Sequence, residues 1–339
     1  MSTDPNALGT VVDRLLPRRL CTPTPASAFA PANIALSKYW GKRDTQLNLP
    51  LNASLSVSLG SWGSTTHVAS SPSGRDEVVF NGDAIDLKDP SAQRILHHCN
   101  LFRRTQNIPL RIVTSNSIPT AAGLASSASG FAALTLALIR AFRLELPCES
   151  ASMIARLGSG SATRSLWHGF VRWDHGTRAD GTDCHGNQMA VNWPEFRIAV
   201  IPVDTRPKTQ SSRDGMNHTV RSSPLFAAWP ALASVDCKQI EEAVRDRNLT
   251  ALGTLAEANA LAMHATMIAA RPALTYLTSE TWKVLETLRH ARHRDLSAYA
   301  TMDAGPNVKL IFERDSENDV KSLFPDAKVI APFEDQPKI

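Results

Sequence analysis

The sequence predicts an α/β protein of two domains, the second a split βαβ sandwich. Its 339 residues are roughly twice a typical domain of about 100–200 residues. From 196 onward the text reads strand, long helical stretch, strand, strand, helix, strand, the element order of a split βαβ unit. Before 195 it mixes short strand-like runs with one long Ala/Leu-rich helix. These features place a tail at 1–20, a first domain at 21–194 and a second at 195–339.

The elements follow in order. TPTPASAFAP (22–31) leads into the folded part, and ASLSVSLGSW (53–62) alternates as a strand does. The segment 82–105 turns helical near Ser91, and LRIVTSNS (110–117) is a short β-rich run. A helix is expected over 123–142 and another over 149–157, stopped by Gly158. FRIAVIPVD (196–204) reads as a strand, and helical text runs from about 236 to 292 with breaks near Pro272 and Thr278. SAYATM (297–302), NVKLIFER (307–314), helical DVKSLFP (319–325) and AKVIAPF (327–333) close the chain.

Composition excludes several classes. Hydrophobic residues are 43% and charged residues 20%, ordinary for a globular protein and not for a disordered or fibrous one. No run of about 18 apolar residues occurs, so no membrane span is expected. A net charge of +4 is too small to argue for nucleic acid, but it allows a local basic pocket for a small anion. Cys21, Cys99, Cys148, Cys184 and Cys237 are scattered and odd in number, which fits reduced thiols in a cytoplasm. Residues 1–20 carry Arg14, Arg18 and Arg19 with Asp4 and Asp13 and no apolar h-region. They read as a loosely attached tail, and the two acids disfavour a transit peptide.

Four segments carry chemistry. PTAAGLASSASG (119–130) is small, Gly/Ser-rich and opens into an apolar helix. A helix start offers free N–H groups and partial positive charge, and small residues let a phosphate approach the backbone. Ser126 and Ser127 could add hydroxyls for a phosphate or Mg²⁺. A tight helix–sheet contact needs the same small residues, so the segment alone leaves both readings open. No Gly-Lys-Ser/Thr closes it as a Walker A loop. NIALSKYWGKRD (33–44) sets Lys38, Lys42 and Arg43 beside Tyr39 and Trp40. That set suits an anionic substrate, although a surface strand with snorkelling lysines reads the same way.

In GSGSATRSLWHG (158–169), Arg164 follows a Gly/Ser turn. It could fork a carboxylate, or face solvent behind a helix capped by Ser161. In MDAGPNV (302–308), Asp303 ends a β run before a turn. It stands at a site edge or is a plain turn aspartate.

The histidines say little. His97 and His98 are neighbours on a helix and face different ways. Asp183, Cys184 and His185 have no second pair at ligand spacing and read as a polar loop. His264 lines a pocket or packs. No Gly-x-Gly-x-x-Gly follows a strand, and no G-x-S-x-G elbow is present.

Together the four segments, in this order, resemble the mevalonate diphosphate decarboxylase family of the GHMP kinase superfamily, over about residues 26–333. The resemblance implies a GHMP kinase fold, α/β in two domains: a ribosomal-protein-S5-like N-terminal domain, a ferredoxin-like C-terminal domain and a cleft between them. It implies an ATP-dependent reaction with Mg²⁺ on mevalonate 5-diphosphate. The 3-hydroxyl is phosphorylated, then phosphate and CO₂ leave to give isopentenyl diphosphate. A homodimer is expected on the same ground.

Roles follow from the resemblance. Asp303 would accept or orient the hydroxyl proton, and Lys38 would neutralise transferring charge. Ala122, Gly123, Leu124, Ala125, Ser126 and Ser127 would cradle the ATP phosphates, with Ser127 at the γ-phosphate and metal. Arg164 would hold the substrate carboxylate. Tyr39, Lys42, Ser159, Ser161, Ser212 and Arg213 would take the diphosphate, and Asn33 would sit near the reacting centre. Ser129 stands where the family has alanine, and the tail before residue 21 exceeds the family's need. Rival readings are decarboxylation of mevalonate 5-phosphate, 3-phosphorylation alone, a non-catalytic ligand-binding relative, and a sugar kinase of the superfamily.

Overall fold

The computed structural model describes residues 7–118, 126–204, 206, 210–334 and 336–339. The expected loop residues Ala122, Gly123, Leu124 and Ala125 lie outside the described residues.

In chain order the first half comprises α1 (Ala7–Leu15), β1 (Ala26–Ser37), β2 (Lys42–Asp44), β3 (Leu49–Pro50), β4 (Ser54–Ser70), β5 (Glu77–Phe80), β6 (Asp83–Ala84), α2 (Pro90–Arg103), β7 (Leu110–Asn116), α3 (Ser127–Ala141), α4 (Cys148–Gly158), a 3₁₀ turn (Gly160–Arg164), β8 (Phe170–Trp173) and β9 (Gly186–Gln188). Its main sheet runs β6-β5-β7-β4-β8-β9, with β1 on β4. β4 organises this sheet because it is long enough to pair with β1 along its length, with β7 at one end and with β8 at the other.

Alternation gives β4 two unlike faces. Leu55, Val57 and Leu59 enter an apolar core shared with the second half, while Ser54, Ser56 and Ser58 are buried on the opposite face. β1 does the same along its length. Its register breaks between Pro31 and Asn33. Ala28 and Ala30 lie in the core of α3, and Ala32, Ile34 and Leu36 join the shared core. Ala132, Ala133 and Ala137 are fully buried, so α3 can lie close on the sheet.

The second half comprises β10 (Phe196–Ile201), α5 (Ser212–Ser222), α6 (Trp229–Arg245), α7 (Leu249–Ile268), α8 (Ser279–Arg292), β11 (Ala298–Met302), β12 (Val308–Glu313), α9 (Glu317–Leu323) and β13 (Lys328–Ile330). The sheet order is β11-β12-β10-β13 with every neighbour antiparallel. That is the split βαβ arrangement expected from the element order. Cys237, Ile240 and Val244 of α6 and Leu252 and Ala256 of α7 pack between the two sheets. The two halves therefore share one core rather than a bare hinge.

Several expectations need correction. The described part of the N-terminal segment is not a loose tail. α1 buries Val11, Val12 and the following Leu16, and Arg104 and Asp180 form ion pairs with its Asp13 and Arg14. The helical text expected from about 236 already begins at Trp229 and breaks at 246–248. Asn248 starts α7 by accepting from the Ala251 N–H. The strand expected over 196–204 ends at Ile201, where Pro202 supplies no donor. Ser129, the departure from alanine, is buried and hydrogen-bonds the Ser64 hydroxyl at 2.8 Å.

Candidate active site

A cleft of about 620 Å³ opens between the two halves. Its floor is made where chain ends meet. β1 ends at Ser37, so Lys38 leaves the strand at the domain junction. Its backbone is clamped by two buried asparagines: Asn259 Oδ1 of α7 accepts the Lys38 N–H at 2.8 Å, and Asn52 Nδ2 donates to the Lys38 carbonyl at 2.7 Å. The side chain is thereby aimed inward. Lys38 Nζ donates to the Ala35 carbonyl at 2.7 Å and to Asp303 Oδ1 at 2.9 Å.

Asp303 follows β11 directly. The Gly305 N–H closes its turn onto the Asp303 carbonyl at 2.7 Å. Asn307 Oδ1 ties the same turn to the end of β10 by accepting from the Val203 and Asp204 N–H groups. Lys309, two residues further on, brings Nζ to 3.3 Å from Asp303 Oδ2. Both lysine side chains are almost fully buried, whereas the Asp303 side chain is 38% open to the cleft. Burial alone would push the Asp303 carboxyl up, but Lys38 and Lys309 outweigh it and hold it well below the usual carboxylate range. Burial pushes Lys38 down and Asp303 opposes that shift.

Arg164 ends the 3₁₀ turn on the opposite wall. Its Nη1 donates to Ser54 Oγ at 2.6 Å, Nη2 approaches Asn33 Oδ1 at 3.5 Å, and its guanidinium lies 5.5 Å from the Trp173 ring centroid. Burial pushes it down to about 10, with Asp303 opposing, so it stays charged at neutral pH. Nε has no partner among the described residues. Asn33 is fixed by donating to Ser165 Oγ at 2.8 Å. An arginine fixed on one edge and unmet on another is prepared to receive a carboxylate.

The hydroxyls gather beside it. Ser159 Oγ lies 3.5 Å from Ser127 Oγ and 3.3 Å from Ser161 Oγ. Ser127 is the first residue of α3, and the preceding Ser126 makes no side-chain cap, so the helix start keeps N–H groups to offer. Gly160 lets Tyr39 lie against this turn, since a Cβ there would come within 2.8 Å of the phenol oxygen. The Tyr39 hydroxyl is buried without a partner among the described residues.

At the outer end Lys42, Arg94 and Arg213 face the cleft. Among the described residues none of the three has an ion-pair partner. Lys42 is pushed down to about 8, first by burial and then by Arg213 and Arg94. Ser212 and Arg213 open α5, whose Ser211 cap accepts from the Asp214 N–H.

The structure therefore brings Asn33, Lys38, Tyr39, Lys42, Ser127, Ser159, Ser161, Arg164, Ser212, Arg213 and Asp303 to one cleft. Ser126 faces an adjoining hollow of about 200 Å³ walled by Phe80, Ile85, Ile95, Phe131 and Leu134. Arg43 is not brought in, because its guanidinium binds the His175 and Arg178 carbonyls. His264 is buried close to Lys38 and Asp303, off the cleft wall. Asp183 is occupied by the Thr177 and Arg178 N–H groups. Among the described residues no His, Cys, Asp and Glu gather as a metal site.

Sequence reasoning missed Lys309 and Arg94. Lys309 left one sign, a lysine inside the otherwise apolar strand text VKLIF. Arg94 left none, because it reads as an exposed helical arginine.

A model described as the diphosphomevalonate decarboxylase-like N-terminal domain matches residues 30–186, and the mevalonate 5-diphosphate decarboxylase C-terminal domain matches 198–336. A diphosphomevalonate decarboxylase from Candida albicans is 36% identical over 316 residues, covering 88% of this chain and 87% of that one. The crystal structure of mevalonate diphosphate decarboxylase from Staphylococcus aureus superposes with a TM-score of 0.85 at 31% identity, covering 91% of this chain and 95% of that one. A structure described as MDDEF in complex with MVAPP, AMPPCP and magnesium superposes at 0.84 and 34% identity, covering 91% and 97%.

Proposed function

Because the chain belongs to the mevalonate diphosphate decarboxylase family, we propose that it uses ATP to decarboxylate mevalonate 5-diphosphate to isopentenyl diphosphate. The observation that carries this reading is the Lys38–Asp303 pair, 2.9 Å apart, in one cleft with Ser127 and Arg164. A carboxylate that orients an alcohol, a helix start for phosphate and an arginine for a carboxylate are the parts the reaction needs.

The chemistry runs in two stages. The 3-hydroxyl oxygen attacks the γ-phosphorus of ATP, the bond from that phosphorus to the β–γ bridging oxygen breaks so that ADP leaves, and the hydroxyl proton passes to a phosphoryl oxygen and on to solvent. A poor leaving group has become a good one. The C3–O bond then breaks with both electrons going to phosphate. The C1–C2 bond supplies the pair that forms the C2–C3 double bond, and CO₂ departs. Asp303 is held ionised, so it is a weak base that orients the hydroxyl rather than storing its proton. Arg164 would hold the C1 carboxylate in reacting geometry, with Asn33 beside it. Lys38 would offset charge on the transferring group. Residues 122–127 would cradle the ATP phosphates, and the apolar hollow behind Ser126 would take the base. Magnesium fits as the nucleotide's companion, with the Ser127 hydroxyl on the cleft side to reach it, and would neutralise phosphate charge.

Tyr39, Ser159, Ser161 and Ser212 would hydrogen-bond the 5-diphosphate. Lys42, Arg213 and Arg94 would supply its counter-charge. Three mutually repelling cations favour the diphosphate over the monophosphate. The same reading divides the chain at 21–194 and 195–339 and makes the protein a cytoplasmic homodimer. No described helix is long and apolar enough to cross a membrane.

The test is turnover. Purified protein is incubated with Mg-ATP and [1-¹⁴C]mevalonate, its 5-phosphate or its 5-diphosphate, and ADP and ¹⁴CO₂ are measured. Equimolar ADP and CO₂ from the diphosphate alone is expected. ADP without CO₂ would replace the reading with a kinase, CO₂ chiefly from the monophosphate with the sister decarboxylase, and neither product with a ligand-binding protein.

A further inference from the structure

Lys309 sits where a lysine is costly. β12 is the central strand between β11 and β10, and Val308, Leu310, Ile311 and Phe312 are all fully buried around it. Lys309 itself is 3% exposed. An apolar residue would complete this strand at less cost, since a buried ammonium must be compensated. Asp303 already has Lys38 as a partner at 2.9 Å. Among the described residues, Lys38, Lys309 and the buried Arg164 thus outnumber the carboxylate of Asp303 on this part of the cleft. Stability does not account for such a surplus.

Geometry shows how the second lysine acts. Lys38 takes Oδ1 and Lys309 approaches Oδ2 at 3.3 Å, from opposite domains. Lys309 Nζ is itself anchored on the Asn307 carbonyl at 3.3 Å, at the far end of the Asp303 turn. A carboxylate gripped on both oxygens cannot swing about its Cβ–Cγ bond. It presents one fixed plane to the cleft. We propose that Lys309 is a positioning residue: by holding Oδ2 it fixes the plane and the ionised state of Asp303 for the incoming alcohol. This rests on the function proposed above.

Among the described residues, charged and titratable groups reach Asp303 from four elements. Lys38 comes from the end of β1, Lys309 from β12, Arg164 from the 3₁₀ turn and His264 from α7. Burial, with Lys38 next, pushes His264 down to about 4, so the ring is neutral near pH 7. Among the described residues, removing Lys309 leaves Lys38 as the cation in ion-pair contact with Asp303, with Arg164 farther off. Loss of an opposite charge at this range raises a carboxyl pKa by about 1–3 units.

The test compares Lys309→Met, which keeps length and apolar volume, with Lys309→Arg, which keeps charge. Lys309→Gln serves if the Met variant fails to fold. In protein labelled with [4-¹³C]aspartate the Asp303 resonance is assigned by its loss in Asp303→Asn. Wild-type Asp303 is expected to stay ionised down to the acid limit of the fold. In Lys309→Met it should titrate within the folded range, at least one unit higher. In the same variant kcat should fall roughly 10- to 100-fold, the scale of a misplaced reacting group, while KM for nucleotide and for substrate stays within about threefold. Lys309→Arg should recover most of both effects. An unmoved Asp303 resonance, an unchanged kcat, or a loss that falls on the KM values would overturn the proposal. An inactive wild type would sink the proposed function while the ¹³C titration still decides whether Lys309 governs Asp303.

Discussion

The two ends of the cleft handle charge in opposite ways. At the inner end, Lys38 and Lys309 are buried against the two oxygens of Asp303, and Arg164 is anchored on Ser54. At the outer end, Lys42, Arg94 and Arg213 repel one another, and none has an ion-pair partner among the described residues. Positions at the inner end are set before a ligand arrives, which is what a reacting centre requires. At the outer end the charge is left open, which favours the arrival of a polyanion. Substitutions at the inner end should therefore appear in kcat, and those at the outer end in KM.

The largest effect is expected from Asp303→Asn. The variant keeps shape but turns one acceptor oxygen into a donor facing a lysine, and it loses the charge that balances two buried lysines. Turnover should fall by about 10³-fold or more, as expected for a group that orients the reacting hydroxyl and balances the charge beside it. Binding of a non-hydrolysable ATP analogue, measured by calorimetry, should change less than threefold. Normal turnover would remove Asp303 from the reaction.

Arg213→Ala tests the other end. Arg213 opens α5 and is largely solvated, so its removal should leave the fold intact. KM for mevalonate 5-diphosphate should rise about tenfold, in keeping with the loss of one charge-assisted contact, while kcat stays within twofold. Raising salt should reproduce part of this in the wild type and less in the variant. A drop in kcat at constant KM would erase the distinction between the two ends.

How much of this was legible in the sequence depended on how local each feature is. The four motif segments lie along the chain as short ordered texts, so Lys38, Ser127, Arg164 and Asp303 could be named before any fold was seen. The second-half topology was legible for a similar reason: its element order is that of a split βαβ sheet, which the strand order β11-β12-β10-β13 matches. Lys309 was not named, because its meaning comes from Asp303 Oδ2 across a turn and from Lys38 in another domain. Arg94 was missed because nothing along α2 separates a cleft-facing arginine from a solvated one. The two asparagines that clamp Lys38, Asn52 and Asn259, lie 207 residues apart in sequence (259 minus 52), and no linear pattern joins them. The N-terminal segment was misread for a different reason. Its scattered arginines and acids suggested a tail, while Val11, Val12 and Leu16 carried the spacing of a helix face.

That segment also supplies the smallest expected effect and a control on the comparison. Val11 packs with Leu47, Leu49, Trp173 and Cys184, and Tyr39 lies against the Trp173 ring at 4.8 Å between centroids. α1 thus stands behind the cleft wall without touching either set of charges. Val11→Ala removes two buried methyl groups, a loss of about 1–2 kcal/mol on the usual core scale. In a chain of 339 residues each kcal/mol lowers Tm by roughly 1–2 °C. Scanning calorimetry should therefore find Tm lower by about 1–4 °C, with kcat and both KM values within twofold at 25 °C. If the kinetic constants stay put while the fold weakens, stability and catalysis are separable at this wall, and the effects at Asp303 and Arg213 belong to the charges themselves. If KM for the diphosphate rises instead, Trp173 and Tyr39 transmit the packing of α1 into the outer end, and the division between the two ends would have to be redrawn to include it.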